Sequence, residues 1–504
     1  MSRFQRIFCG LFLFPLCLIS QETHSHSAPE KLGAVSFPIS CAPGVQNEFN
    51  RAVALLHSFA YTAADSAFRS VAERDPHCAI AHWGIAMAQF HQLWDPPLSA
   101  STVPVGELEI QRAQALGARS ERERKFINAL ALIYQPDSAI PYATRISRYE
   151  QAMCDLPAEE RKDTETAVFC ALALLSNASP FDKSHARQKK AAVLLEPLSL
   201  KYPQHPGITH YLIHAYDNAE LAPKGLAAAR VYAKIAPSAP HALHMPSHIF
   251  TRLGLWDDSI ASNLASRKAA HEQGDIGEEL HAMDYLAYAY LQGGRDSEAA
   301  QVLQQLREMQ KLDSADFKIG YASTAIPVRY AVERNRWDEA ASIQPPTGSP
   351  PHITAIAVWA RGLGLARTGR IAEARAQTGT LRMLEEQLRS SGNRYWAAQV
   401  NILNGELMAW TAEAANQHNE ALAQMSRAAD EEDAMEKLPV TPGPILPARE
   451  QLGYLLLEQR QPCRAVKEFK TSLLFAPGRH ASLAGASHAA ELCGQSRKAP
   501  AALP

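Results

Sequence analysis

Nothing in these 504 residues alternates apolar with polar positions the way a half-buried strand does. Aromatic residues are sparse, at 8%, while alanine is abundant, a balance that suits close-packed helices better than sheets. Charge of one sign is not in excess, since the formal net charge is -2. That removes any electrostatic reason for nucleic acid, and no basic helix face with stacking aromatics is present. Familiar catalytic signatures are missing as well. His271-Glu272 is followed by Gln273, Gly274 and Asp275 rather than by a second metal-binding histidine, and there is no G-x-S-x-G elbow, Walker loop or dinucleotide glycine fingerprint. No C-x-x-C occurs, which argues against a thioredoxin-like or zinc-ribbon role. Beyond the N-terminus, no run is long and apolar enough to cross a membrane.

The N-terminus itself reads as a targeting segment. Arg3 and Arg6 precede an apolar stretch of 13 residues, Ile7 to Ile19, too short for a bilayer and right for the core of a signal peptide. Residues 1–25 are therefore expected to be a signal peptide, and the mature chain exported, periplasmic or secreted. Cys9 and Cys17 would leave with it. Cys41, Cys78, Cys154, Cys170, Cys463 and Cys493 remain, an even number that permits three disulfides in an oxidising compartment. Cys463 opens one predicted helix and Cys493 closes the next, ends that lie side by side in an antiparallel hairpin, so this pair leads. Cys41 with Cys78 fits stacked helices of adjacent repeats, and Cys154 with Cys170 is the remainder.

What the chain does have is a repeat. His210 and His214 stand four apart in HYLIHAYD, His244 and His248 in HALHMPSHIF, and Asp284 and Tyr288 in HAMDYLAYAY, with His281 one turn earlier. The two histidine pairs are each 34 residues apart, and so are His57 and His91. A 34-residue period is that of a helix–turn–helix unit. Ala52, Ala64, Phe68 and Pro76 in the first copy match Gly453, Ala465, Phe469 and Pro477 in the last. With these residues the chain resembles the tetratricopeptide repeat family. Gly225 and Ser259 depart from the alanine of that pattern, and residues 92–200 keep its register poorly. The resemblance implies an all-α solenoid of helical hairpins, each burying its apolar stripe against its neighbours. The expected layout is a repeat array over 44–342, a proline-rich linker at 343–352, repeats over 353–436, a second proline-rich linker at 437–447, hairpins over 448–493 and a disordered tail at 494–504. Trp94 to Val105 reads as a long loop of the kind that covers binding surfaces.

The resemblance also implies that the first helix of each repeat lines a concave groove that takes a protein or peptide ligand. It places His210, His214, His244, His248, Asp284 and Tyr288 on that groove, with His241 and His281 one turn earlier. Asp217 and Asn218 lie at its edge, and His57 and His91 further along. Histidines four apart on a helix point the same way, and two such pairs on adjacent helices could share an ion. His210, His214, His244, His248, His281 and Asp284 are accordingly candidate metal ligands, with zinc or copper as the cofactor such a set accommodates. Three functions stay open from sequence: a binding module, a metal-dependent enzyme whose base or acid is Asp284, His281 or Tyr288, and an assembly scaffold with a hydrogen-bonded polar lining. His185, His205, His352, His418, His480 and His488 are expected to face solvent or sit in turns.

Overall fold

The computed structural model describes residues 30–94, 98–135, 140–155 and 163–498. The expected signal peptide and residues 499–504 lie outside them. Among the described residues every regular element is a helix, so the fold is an all-α solenoid of tetratricopeptide-type hairpins. The small-against-large pattern explains how hairpins close. Ala52, Ala64 and Phe68 have no solvent exposure. At the other end, a Cβ placed on Gly453 would come within 2.8 Å of the Phe469 ring, and one on Gly485 within 2.5 Å. Two helices thus approach the same ring only because neither carries a side chain there. The departures keep the principle: Ser259 is fully buried, and a Cβ on Gly225 would meet Ile249 at 2.6 Å.

Several expectations are corrected. The terminal helix His480–Lys498 runs past Cys493 through the start of the expected tail. Trp94 to Val105 is not loop throughout, since a helix begins at Thr102 (Thr102–Leu116). His185, His205 and His352 are buried rather than solvent-facing. His185 and His205 sit beside carboxylates, and His352 stacks on Trp396 with ring centres 4.7 Å apart. The 437–447 segment is no bare spacer, because Val440, Thr441 and Ile445 are buried. It runs across the inner face of the repeats. Tyr285 reaches the carbonyl oxygens of Thr441 at 3.2 Å and Pro439 at 3.3 Å. Arg329 donates to those of Pro444 at 2.7 Å and Gly443 at 3.0 Å.

All three cysteine pairs are bonded: Cys41–Cys78, Cys154–Cys170 and Cys463–Cys493. The last ties the start of helix Pro462–Phe475 to the terminal helix. Replacing both of its cysteines with serine should lower unfolding free energy by about 2–4 kcal/mol. Urea unfolding of the double variant checks this; an unchanged midpoint would show that the crosslink constrains nothing beyond the hairpin packing.

Candidate metal centre

Helix Pro206–Tyr216 carries His210 and His214. The next inner element is broken at Met245 into Pro240–His244 and Pro246–Arg252, because Pro246 has no N–H to continue the ladder. It brings His241, His244 and His248. The third layer differs from the repeat-based reading. Helix Ile276–Gln292 presents His281 and Tyr285 to the cluster, not Asp284 and Tyr288. Residues four apart share a face, and moving one residue turns the side chain by about 100°. Asp284 instead pairs with Arg329 at 3.2 Å, and Tyr288 lies under the same guanidinium.

Six imidazoles therefore meet. His210, His214 and His241 form one group, and His244, His248 and His281 another; within each group a nitrogen from every ring lies within 4.8 Å of the others. The ring centres of His214 and His248 are 5.8 Å apart, linking the groups. His241, His244 and His281 are as thoroughly buried as His210 and His248, while His214 is half-buried. The expected open groove is thus a closed core. Phe59, whose φ of 54° lies in the left-handed region, sets its ring 4.4 Å from that of His210. Trp94 sets its ring edge-on to His281 at 5.5 Å and tilted against His241 at 5.7 Å. Pro439 and Val440 of the crossing segment complete the cover. Between them and His214, His241, His248 and His281 is a void of about 10 Å³, the space of roughly one water or ion.

Neighbouring groups assign the tautomers. His244 Nδ1 faces the Asn263 side-chain oxygen at 2.6 Å, and that amide is oriented by donating its own N–H to Ser259 O at 2.8 Å. His248 Nδ1 faces the Asp217 carboxylate at 2.9 Å, and His210 Nδ1 faces the backbone oxygen of His57 at 2.6 Å. His241 Nδ1 approaches Glu278 at 3.2 Å. Each of these oxygens accepts a hydrogen bond from Nδ1–H, leaving Nε2 as a bare lone pair. The His244 and His248 Nε2 atoms are then only 2.9 Å apart. Those of His210 and His214 are 3.1 Å apart, and His241 Nε2 has no hydrogen-bond partner among the described residues.

The electrostatics favour the neutral form of His210, His214, His244, His248 and His281. Burial, reinforced by the other imidazoles, holds His210 and His214 well below the usual histidine range. Burial and His281 do the same for His244. Burial lowers His281 despite Glu278 and takes His248 to about 4 despite Asp217. The carboxylates behind them stay charged. Against its burial, Lys437 and Arg252 hold Asp217 well below the carboxylate range, and Lys318 and His241 do so for Glu278.

The remaining expected site residues lie apart. His57 is buried, but both its nitrogens are engaged, by Tyr211 and Glu165 at 2.9 Å each. Glu165 also meets His205 at 2.8 Å. Every side-chain nitrogen and oxygen of that trio already has a hydrogen-bond partner, so it reads as structural although its atoms are close enough to hold an ion. His91 stacks on Tyr61 at 4.2 Å. Asn218 accepts the Leu221 N–H at 2.9 Å and caps a turn. Asp217 supports His248 from behind. Asn263, Glu278, Tyr285 and Lys437 went unnoticed in the sequence; only Glu278, three residues before His281 on the same helix, left a readable trace.

No protein-family model matches the chain, and no curated protein matches it. Among solved structures it is similar to the TPR domain of P58(IPK), at 13% identity over 90% of this chain and 100% of that one, with a TM-score of 0.22. It is similar to yeast Tom70 at 12% identity, covering 89% of each chain, with a TM-score of 0.34. A third is the Naa15/Naa10 structure bound to HypK-THB, at 13% identity over 90% and 66%, with a TM-score of 0.24. Superpositions this loose assign neither partner nor activity.

Proposed function

We propose that this is an exported helical-repeat protein that binds transition metal through its histidine cluster, with His210, His214 and His241 facing one ion and His244, His248 and His281 a second. The observation that carries this reading is the 2.9 Å approach of His244 Nε2 to His248 Nε2. Two buried lone pairs repel at that distance, and a cation between them turns the repulsion into coordination. Acceptors on the far nitrogens are the arrangement that orients ligating histidines and raises their basicity. An all-imidazole donor set suits zinc, copper, nickel or iron, and zinc and copper are the leading choices. Asp284, paired with Arg329, is not in the set. Export rests on the charged, apolar N-terminus and the three disulfides. Among the described residues no helix is long and apolar enough to cross a membrane. A peptide ligand in the groove would have to displace residues 437–447, whereas an ion would not.

Elemental analysis of untagged protein should find about two tightly held transition ions per chain, and X-ray absorption should show imidazole nitrogens at about 2.0–2.1 Å for zinc. Protein that retains no ion after exposure to zinc and copper would leave the histidines as a polar lining. A metal-dependent enzyme is the second reading, favoured by a cavity of about 560 Å³ whose wall includes His214 and Asp217 along with Trp94, Arg145 and Lys437. Exchangeable water on a bound ion would support catalysis, and ions fully saturated by protein ligands would end that reading.

A further inference from the structure

We infer a second ligand site, distinct from the histidines, that binds a small organic ammonium ion beside Glu406 and Glu432. A cavity of about 120 Å³ lies among the C-terminal repeats, a little smaller than the engineered cavity of roughly 150 Å³ that holds benzene. Glu406 comes from helix Arg394–Ala414 and Glu432 from helix His418–Asp433. Tyr321, Tyr395 and Trp396 share the wall.

Charge selects the ligand class. Three cations border the cavity, and each already has carboxylate partners. Arg252 and Lys437 both reach Asp217 at 2.8 Å, and Arg449 reaches Asp430, Asp433 and Glu468 at 2.6–3.0 Å. Glu406 and Glu432 have no ion pair among the described residues. Glu432 accepts the Ala448 N–H at 2.8 Å. Glu406 is 1% exposed, and its Oε2 has no hydrogen-bond partner; neither has His352 Nε2 on the same wall. Glu406, buried, and Glu432, half-buried, resist ionising, because the guanidinium groups nearest Glu432, Arg449 and Arg479, are already committed to other carboxylates. Burial takes Glu432 to about 8, and burial with the charge of Glu432 holds Glu406 well above the usual range. A cation supplies the missing charge to the carboxyls while its alkyl surface lies on the rings, where cation–π attraction adds to it. An anion would meet these acids, and the cations beside them are already paired with carboxylates.

Titration calorimetry on the full chain with choline and its uncharged carbon isostere, 3,3-dimethylbutan-1-ol, tests this. Choline should bind, and the isostere should bind at least about tenfold more weakly. Glu406→Gln, which preserves shape and removes a buried acid, should cut choline affinity about tenfold, with the helical spectrum and metal content unchanged. Equal binding of the isostere would make the cavity merely apolar. Unaltered choline affinity in Glu406→Gln, or no binding of choline or tetramethylammonium, would overturn the proposal.

Discussion

His248→Ala should release about half of the bound transition metal and leave the helical spectrum intact. The variant removes one imidazole from the group His244, His248 and His281, and with it the contact that most needs a cation. Asp217→Asn is the companion variant. The carboxylate only touches the far nitrogen of His248, yet losing such an outer partner lowers metal affinity by about 10–100-fold. The amide also leaves Lys437 and Arg252 facing a neutral group, so part of the loss would come from a loosened cover. His271→Ala is the control, because that ring is 75% exposed and outside the cluster. Equal metal content in His248→Ala, His271→Ala and the parent would refute the centre.

Arg479→Ala should be the most destabilising single change outside the disulfides, at about 3–5 kcal/mol. The guanidinium is fully buried and donates to both carboxylate oxygens of Glu450 at 2.8 Å and to Glu333 at 2.7 Å. Removing it strands two acids in the interior. Burial already raises Glu333 even with Arg479 beside it. Glu450→Gln combined with Arg479→Met should recover part of the loss, since apolar or neutral replacement of a whole buried pair costs far less than breaking it. Chemical denaturation of the three proteins decides this; an Arg479→Ala midpoint matching the parent would mean that water reaches the pair.

Much of this was legible in the sequence because it is local. Helical period, the 34-residue spacing of His210 with His244 and His214 with His248, and the pairing of Cys463 with Cys493 all follow from neighbours on one helix or hairpin. The third layer was misread because the repeat register put Asp284 and Tyr288, not Tyr285, on the face that meets the cluster. His281 and Tyr285 face inward, so Asp284 turns to Arg329. The supports of the histidines were mostly hidden for another reason. Asn263 and Glu278 reach His244 and His241 from other helices, and no spacing rule records a partner 19 or 37 residues away. Prolines in 437–447 signalled a break in helix, which is true, but not that its carbonyl oxygens would be held by Tyr285 and Arg329. Likewise His352 looked like a turn residue beside its prolines, and only Trp396 explains its burial.

The crossing segment also sets an order of events. A plain solenoid is a chain of nearest-neighbour contacts that can form from either end. Here all six imidazoles have been synthesised by residue 281, whereas Lys437, which completes the charge balance behind His248, follows 156 positions later. On the proposed metal-binding function, an ion that enters before the C-terminal segment packs is then covered by it. Afterwards it can leave only as fast as that stretch lifts away, which makes retention a question of kinetics as much as of affinity.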